Sequence, residues 1–330
     1  MKIKKRIIFS RHGLRYPLFY HESLLKIYGK DIINWDFPNE LMGHLSKKGE
    51  VIEFLFGQEL KEILNLNDNM KIRVLCNSTH RTYHTSRLLC LGMNPFKEQV
   101  IDYKDKSFNK LDTRYNILFK ENKILDYDKV KKIDEKLKDA YTRIEELLDL
   151  EKGTIVNKKS NIYLDDTGYL HVKGALRLAT DISDLFILKY YENFPLDKIF
   201  KSDDFMKDLR LISTVKDEFL DLIFGDTKYI KESKENAYLL LSDEIKKDND
   251  LTLIVGHDSN LSCIMSMLDI DYKLNENMIE KYPIGAKLLF NIFEDDTYEL
   301  YYVYYNYNDI REIKYNKPIM EKIKKGKLPI

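Results

Sequence analysis

An apolar run near the start of the chain ends at Ser10, and Arg11, His12 and Arg15 follow within five residues, in IIFSRHGLRYPL (7–18). Two guanidiniums and an imidazole so close together suit an anion. Arg forks pair bidentately with oxyanions and stay charged at any relevant pH. Two other stretches share the form. The run IRVLCN (72–77) leads through Asn77 into His80 and Arg81, and LTLIV (251–255) delivers His257 and Asp258. If the three runs are parallel neighbouring strands, these groups meet beyond their carboxyl ends, where open α/β sheets bind ligands. Three arginines, three histidines and one carboxylate then face one volume.

That set fits a phosphate ester. Phosphoryl transfer is mostly positioning plus stabilisation of the equatorial oxygens. An imidazole can attack phosphorus and hold it covalently, and a carboxylic acid can protonate the leaving oxygen. The helix starting after Asp258 adds its positive end. Each residue alone has a plainer use. Arg11 or Arg15 would be an ion-pair residue, His257 a core histidine, Asp258 the N-cap of SNLSCIMSML, and Arg81 a helix projection. All of them together, each at a strand end, favour the site. No GxGxxG or GxxxxGK[ST] supports a nucleotide fold, and HExxH is absent. His80 and His84 lie four apart on one helix, a pair without a third metal ligand.

The elements that must position these groups are legible in outline. The chain has 330 residues and 44% hydrophobic content, enough for one large core or two domains. Lys+Arg and Asp+Glu balance at 54 each, so no overall basic bias points to nucleic acid, and attraction for an anion must be local. Cys76, Cys90 and Cys263 are far apart, which argues for buried thiols rather than a disulfide network or a zinc site. The apolar part of MKIKKRIIFS is too short for a secretory signal, and no run reaches membrane-spanning length. The expectation is a soluble cytoplasmic protein with no membrane partner, or a periplasmic one if a leader was removed. The oligomeric state is not readable.

KRIIFS reads as a buried strand. The stretch 45–64 reads as a helix capped by Ser46, with Val51, Phe54, Leu55 and Ile63 near helical spacing. KIRVLCN is a second strand, 78–93 a second helix, and QVIDYK a third strand. From 121 the text is long charged-apolar helices without a strong strand. Strand signals return with LTLIVG, then AKLLFNIF and YELYYVYYN flank EDDT as a hairpin at a sheet edge. The basic ending EKIKKGKLPI reads as a solvated tail. The predicted class is α/β, a mainly parallel sheet flanked by helices, with an inserted smaller helical domain. Residues 1–120 and 250–330 form the core, and 121–249 the insertion, part of which packs on the core.

RHGLRYP resembles the RHGxRxP motif of the histidine acid phosphatases, the second branch of the histidine phosphatase superfamily, and GHDSN resembles their late HD motif. HLSKKGE is similar to the L-T-x-x-G helix start, and NSTHRT to the N-S-x-x-R-T segment. YYENFPLDKI and YPIGAKLLF resemble the bacterial glucose-1-phosphatase branch more than the phytase branch. The resemblance implies the phosphoglycerate-mutase-like fold and a two-step mechanism. His12 would be the nucleophile carrying a phosphohistidine. Arg11, Arg15 and Arg81 would clamp the phosphoryl oxygens, with His257 as a further donor. Asp258 would protonate the leaving group. No cofactor or metal is implied. Glu192 in YYENFP matches a substrate-side carboxylate of that branch, its plainer use being an ordinary helix-end Glu. The family usually has a second Gly where this chain has Ala286.

The activity so implied is an acid phosphomonoesterase acting on a small-molecule sugar phosphate such as glucose 1-phosphate. The alternatives are a phytase-like inositol-phosphate phosphatase, a phosphotransferase or mutase of the same superfamily, and a non-catalytic protein that binds a phosphate ligand.

Overall fold

The computed structural model describes residues 2–19, 21–67, 69–94, 97–110, 112–119, 125–314 and 316–329. Among them are nine strands: β1 (Ile3–Arg11), β2 (Ile72–Cys76), β3 (Ile101–Asp102), β4 (Asn161–Leu164), β5 (Leu170–Lys173), β6 (Leu251–Gly256), β7 (Lys287–Phe293), β8 (Thr297–Tyr304) and β9 (Ile319–Lys327). Twelve helices accompany them: α1 (His21–Tyr28), α2 (Lys47–Leu64), α3 (His80–Met93), α4 (Tyr127–Lys136), α5 (Lys138–Leu147), α6 (Ala175–Tyr191), α7 (Leu196–Ile199), α8 (Phe205–Ile223), α9 (Thr227–Glu232), α10 (Ala237–Ile245), α11 (Asp258–Met267) and α12 (Tyr307–Glu312).

Seven strands form one sheet in the order β3-β2-β6-β1-β7-β8-β9. The pairs β3/β2, β2/β6 and β6/β1 are parallel, and β1/β7, β7/β8 and β8/β9 antiparallel. The sheet is therefore mixed, with its parallel half built from both ends of the chain. Ile7, Ile8 and Phe9 of β1 and all of β6 are buried, as strands covered on both faces require.

Ser46 caps α2 by accepting from Gly49 N, as its sequence predicts, but the buried stripe differs. It runs through Ile52, Phe56, Leu60 and Leu64, while Val51 is exposed. The text VIEFLFGQELKEIL is apolar on two neighbouring stripes, so spacing alone does not choose between them. The packing does. A Cβ on Gly57 would lie 2.4 Å from the Leu89 carbonyl oxygen, and one on Gly92 would collide with Phe54, so α2 and α3 approach backbone to backbone there.

The middle segment is mostly helical, but it also holds the antiparallel hairpin β4/β5. The ending read as a solvated tail is the edge strand β9. Its residues alternate between half-buried and exposed, and it pairs with β8 along its whole length. Its lysines mask it in the sequence: they look like a tail, yet charge is how exposed sheet edges are kept from pairing further. Lys322, for one, leans across to Glu299 at 2.7 Å. The three cysteines are free and buried. No described helix is long and apolar enough to cross a membrane.

Candidate active site

The three motif strands end at one level. Arg11 pairs with Gly256 across β1/β6, and Cys76 with Val255 across β2/β6. The next residue of each chain leaves the sheet there, still tied to it. His12 N donates to Gly256 O at 2.9 Å, and Asn77 N to Val255 O at 3.0 Å. His257 is the N-cap of α11, its N–H held by the Asn260 side-chain oxygen at 2.8 Å. Thr79 caps α3, which brings in Arg81. His12, Arg15, Asn77, Arg81, His257 and Asp258 thus line one pocket of about 250 Å³. Its opposite wall is Arg177, Asp181 and Asp184 of α6 with Lys216 and Phe219 of α8.

His12 is buried, and its Nδ1 lies 2.8 Å from Gly13 O. A carbonyl accepts and never donates, so Nδ1 carries the hydrogen and Nε2 keeps a free lone pair. Burial, with Arg81, His257, Arg15 and Arg11 nearby, holds the imidazole well below the usual histidine range. It therefore stays uncharged in acid. The His257 ring stands 5.3 Å from it, nearly edge-on. Asn77 Nδ2 donates to His257 Nε2 at 2.6 Å.

The cations are unequally paired. Arg15 Nη2 meets Asp184 Oδ2 at 2.9 Å. Arg11 is fully buried behind the pocket, its Nη1 on Glu280 Oε1 at 2.9 Å and on the Tyr282 carbonyl, its Nη2 on Asp258 Oδ2 at 3.2 Å. Lys216 Nζ reaches Glu280 at 2.8 Å, Asp184 at 3.0 Å and Asp258 at 3.3 Å. Arg81 is crowded by this company. Burial and Arg15 pull its guanidinium down to about 9, against Asp258 and Asp184. Its Nε has no hydrogen-bond partner. An incoming phosphoryl oxygen would relieve both. Burial works to raise the Asp258 carboxyl, but Arg11, Lys216, His12 and Arg15 outweigh it and hold the group well below the carboxylate range. The surrounding cations thus hold Asp258 ionised.

Behind the loop that carries His12 lies a second charge pair. Glu53 of α2 and Lys287 of β7 are both fully buried, 3.3 Å apart, and Lys287 Nζ also donates to Gly285 O at 2.6 Å. The Glu53 side chain fills the space beside Gly13, where a Cβ would come within 2.6 Å of its Cγ. Gly285 N donates to His12 O at 3.2 Å, and Ala286 O accepts from Arg11 N at 2.8 Å. Ala286 takes the place of the expected glycine while its backbone still holds the motif strand.

Glu192 is not among the residues lining this pocket. It is the C-cap of α6, and its carboxyl interacts with Ser46 and Lys48 at the start of α2. Helix α6 ends beyond the pocket, so the segment YYENFP points its carboxylate at the core surface. His80 and His84 gain a neighbour, His44, but the three rings stack face to face at 3.7 and 3.9 Å. Ring lone pairs lie in the ring planes, so such a stack does not converge on a cation. Among the described residues no group of three or more His, Cys, Asp or Glu is placed to hold a metal.

Sequence reading missed Asp184, Lys216 and Glu280. Two signals were present. Arg177, Asp181 and Asp184 repeat at helical spacing along the mostly apolar α6. Lys216 interrupts the apolar stripe Leu209, Ile212, Leu220 and Ile223 of α8. Glu280 lies in a loop and carries no such mark.

No family model matches the chain. Two curated relatives are glucose-1-phosphatases. That of Providencia rettgeri is 24% identical over 352 residues, covering 96% of this chain and 83% of the relative. That of Salmonella typhimurium is 24% identical over 359 residues, covering 94% and 83%. Among solved structures, the Citrobacter braakii phytase superposes with a TM-score of 0.82 at 17% identity, over 98% of this chain and 91% of its own. The Hafnia alvei phytase in complex with tartrate gives 0.81 at 16%, over 97% and 90%. The fold of this chain is the fold of those phytases.

Proposed function

We propose that this chain, a member of the histidine acid phosphatase superfamily, hydrolyses phosphomonoesters through a phosphohistidine on His12. The observation that carries the reading is a neutral imidazole with its Nε2 free, in a pocket it shares with Arg15, Arg81, His257 and Asp258. In the first step the Nε2 lone pair attacks phosphorus, the bond to the ester oxygen breaks, and that oxygen takes a proton from Asp258. In the second, water attacks phosphorus, Asp258 takes its proton, and the N–P bond pair returns to Nε2. Arg15 and Arg81 hold the phosphoryl oxygens with His257. Arg11 adds a fixed positive charge from behind. The neighbouring cations keep Asp258 ionised, so the proton it delivers arrives with the ester monoanion.

Residues 121–249 act as the inserted unit that sets substrate choice, on the core of 1–120 and 250–330. Of the substrate classes, inositol phosphates stand first. The phytases that share the fold support this, among them the Hafnia alvei enzyme in complex with myo-inositol hexakis sulphate, with a TM-score of 0.80. So does Arg177, a cation at the pocket beyond the phosphoryl clamp. Glucose 1-phosphate is the second reading, supported by the two curated relatives and by the apolar rings of Phe19 and Phe219 among the pocket lining.

The test is phosphate release from p-nitrophenyl phosphate, inositol phosphates and hexose phosphates by the wild type and His12→Ala. Undiminished turnover by His12→Ala would sink the mechanism. Tight phosphate binding with no turnover of any ester by the wild type would favour the binding-protein alternative.

A further inference from the structure

The insertion reaches the acid through one buried side chain. Lys216 is 4% exposed and sits on the apolar stripe of α8. Its ammonium touches three carboxylates, which belong to three different parts of the fold. Glu280 comes from the loop before β7, Asp184 from α6 and Asp258 from the start of α11. The Asp258 Oδ2 is thereby shared between two cations, Lys216 at 3.3 Å and Arg11 at 3.2 Å. Its Oδ1 accepts from Ser259 N at 3.0 Å. The carboxyl is gripped at both oxygens.

We propose that Lys216 is a positioning residue for proton delivery: it fixes the Asp258 carboxyl and sets how readily that group exchanges its proton with the leaving oxygen. The proposal rests on the reading of Asp258 as proton donor. When Asp258 takes up a proton, its hold on Lys216 weakens, but the ammonium keeps Glu280 and Asp184. No buried charge is stranded in either state. When the bond to the ester oxygen breaks, the proton passes to that oxygen and the carboxylate returns to Lys216. A compact ammonium with three rotatable donors suits three carboxylates at once, which a planar fork does not.

The groups facing Asp258 are the cations Arg11, Arg15, Arg81 and Lys216, the rings of His12 and His257, and the Asp184 carboxylate. Lys216 itself faces Arg11, Glu280, Asp184, Asp258 and its chain neighbour Asp217. Removing the Lys216 charge leaves three arginines, so Asp258 stays acidic but less so.

The experiment compares p-nitrophenyl phosphate, whose leaving group departs without a proton, with glycerol 2-phosphate, whose alkoxide needs one. For Lys216→Met, kcat on glycerol 2-phosphate is expected to fall about 10- to 100-fold and kcat on p-nitrophenyl phosphate less than about 3-fold. The alkaline limb of the kcat profile should move up by about one pH unit, because a positive charge next to a carboxyl favours its ionised form. Lys216→Arg should recover part of the lost rate. Asp184→Asn removes a negative neighbour of Asp258, so its limb should move the opposite way, down. That variant keeps the test decisive if Lys216→Met does not fold. Equal losses on the two esters with an unmoved limb, or limbs that move together in both variants, overturn the proposal. A wild type that hydrolyses neither ester overturns the phosphatase reading instead.

Discussion

The two walls of the pocket are made in different ways. One wall is three strand ends and the loops after them, where each useful group follows its strand by one to five residues. The other is two helices, α6 and α8, whose useful groups are spaced along a helical face. The strand-end wall presents cations and imidazoles to the pocket. The helical wall answers with Asp184 for Arg15 and Lys216 for Asp258. The cations and imidazoles are thus placed by the sheet, while the balance of charge around them depends on α6 and α8. A change on the sheet side should remove the reaction, and one on the helix side should retune it.

The largest expected effect is His12→Ala, with kcat down at least about 10³-fold and the urea midpoint within scatter of the wild type. A midpoint that falls with the rate would place His12 among the structural groups instead. On the same wall, the neutrality of His12 in acid and the ionised Asp258 require one proton to come with the substrate. Phosphomonoesters lose that proton near pH 6, so kcat/KM should fall about tenfold per unit above about pH 6. A flat profile from 5 to 8 would break this account.

Next comes the support behind the wall. Glu53→Ala or Lys287→Met each leave a buried charge unpaired and should cost about 3–5 kcal/mol in urea unfolding. The double variant Glu53→Leu/Lys287→Met should cost well under the sum, because neither charge remains. Additive losses would mean the two side chains act separately.

Arg81→Lys should lower kcat/KM by about 10- to 100-fold, since the fork is lost and the charge kept. Inorganic phosphate should inhibit it more weakly than it inhibits the wild type. An equal inhibition constant would remove Arg81 from the clamp.

The smallest effect lies on the helical wall. Against burial, Arg15 and Lys216 hold Asp184 at about 2, below its ordinary 3.8. Its stabilisation is therefore fully present above about pH 4 and lost as pH falls through 2. That amounts to roughly 2 kcal/mol, visible as a steeper acid loss of stability in the wild type than in Asp184→Asn. Asp181, one turn earlier, has the opposite sign. Burial lifts it to about 6, so its contribution is lost as pH rises from about 4 to 6. Identical acid limbs in wild type and Asp184→Asn would show that the two walls are not electrically joined there.

Much of this was legible beforehand. A strand buried on both faces has one ordered exit, so the residues after Ser10, Cys76 and Val255 could be assigned to one sheet edge from the text. The solvated-tail reading of β9 failed for a converse reason. Its lysines describe its surroundings but not its pairing, and only the free edge of β8 makes it a strand. Glu192 stands outside the lining residues because a motif match fixes a position along the chain but not where the helix beneath it ends.

By itself, then, the sequence determined the groups that gather at the strand ends, because each lies within a few residues of its strand's end and backbone geometry carries it there. Only the tertiary structure decided how those charges are balanced. Lys216 meets Glu280 across 64 residues of chain and Asp184 from another helix. No local period specifies which face of a helix turns toward a site so far along the chain. That face is chosen by how α6 and α8 bury their apolar stripes, and the buried lysine goes where the packing takes it.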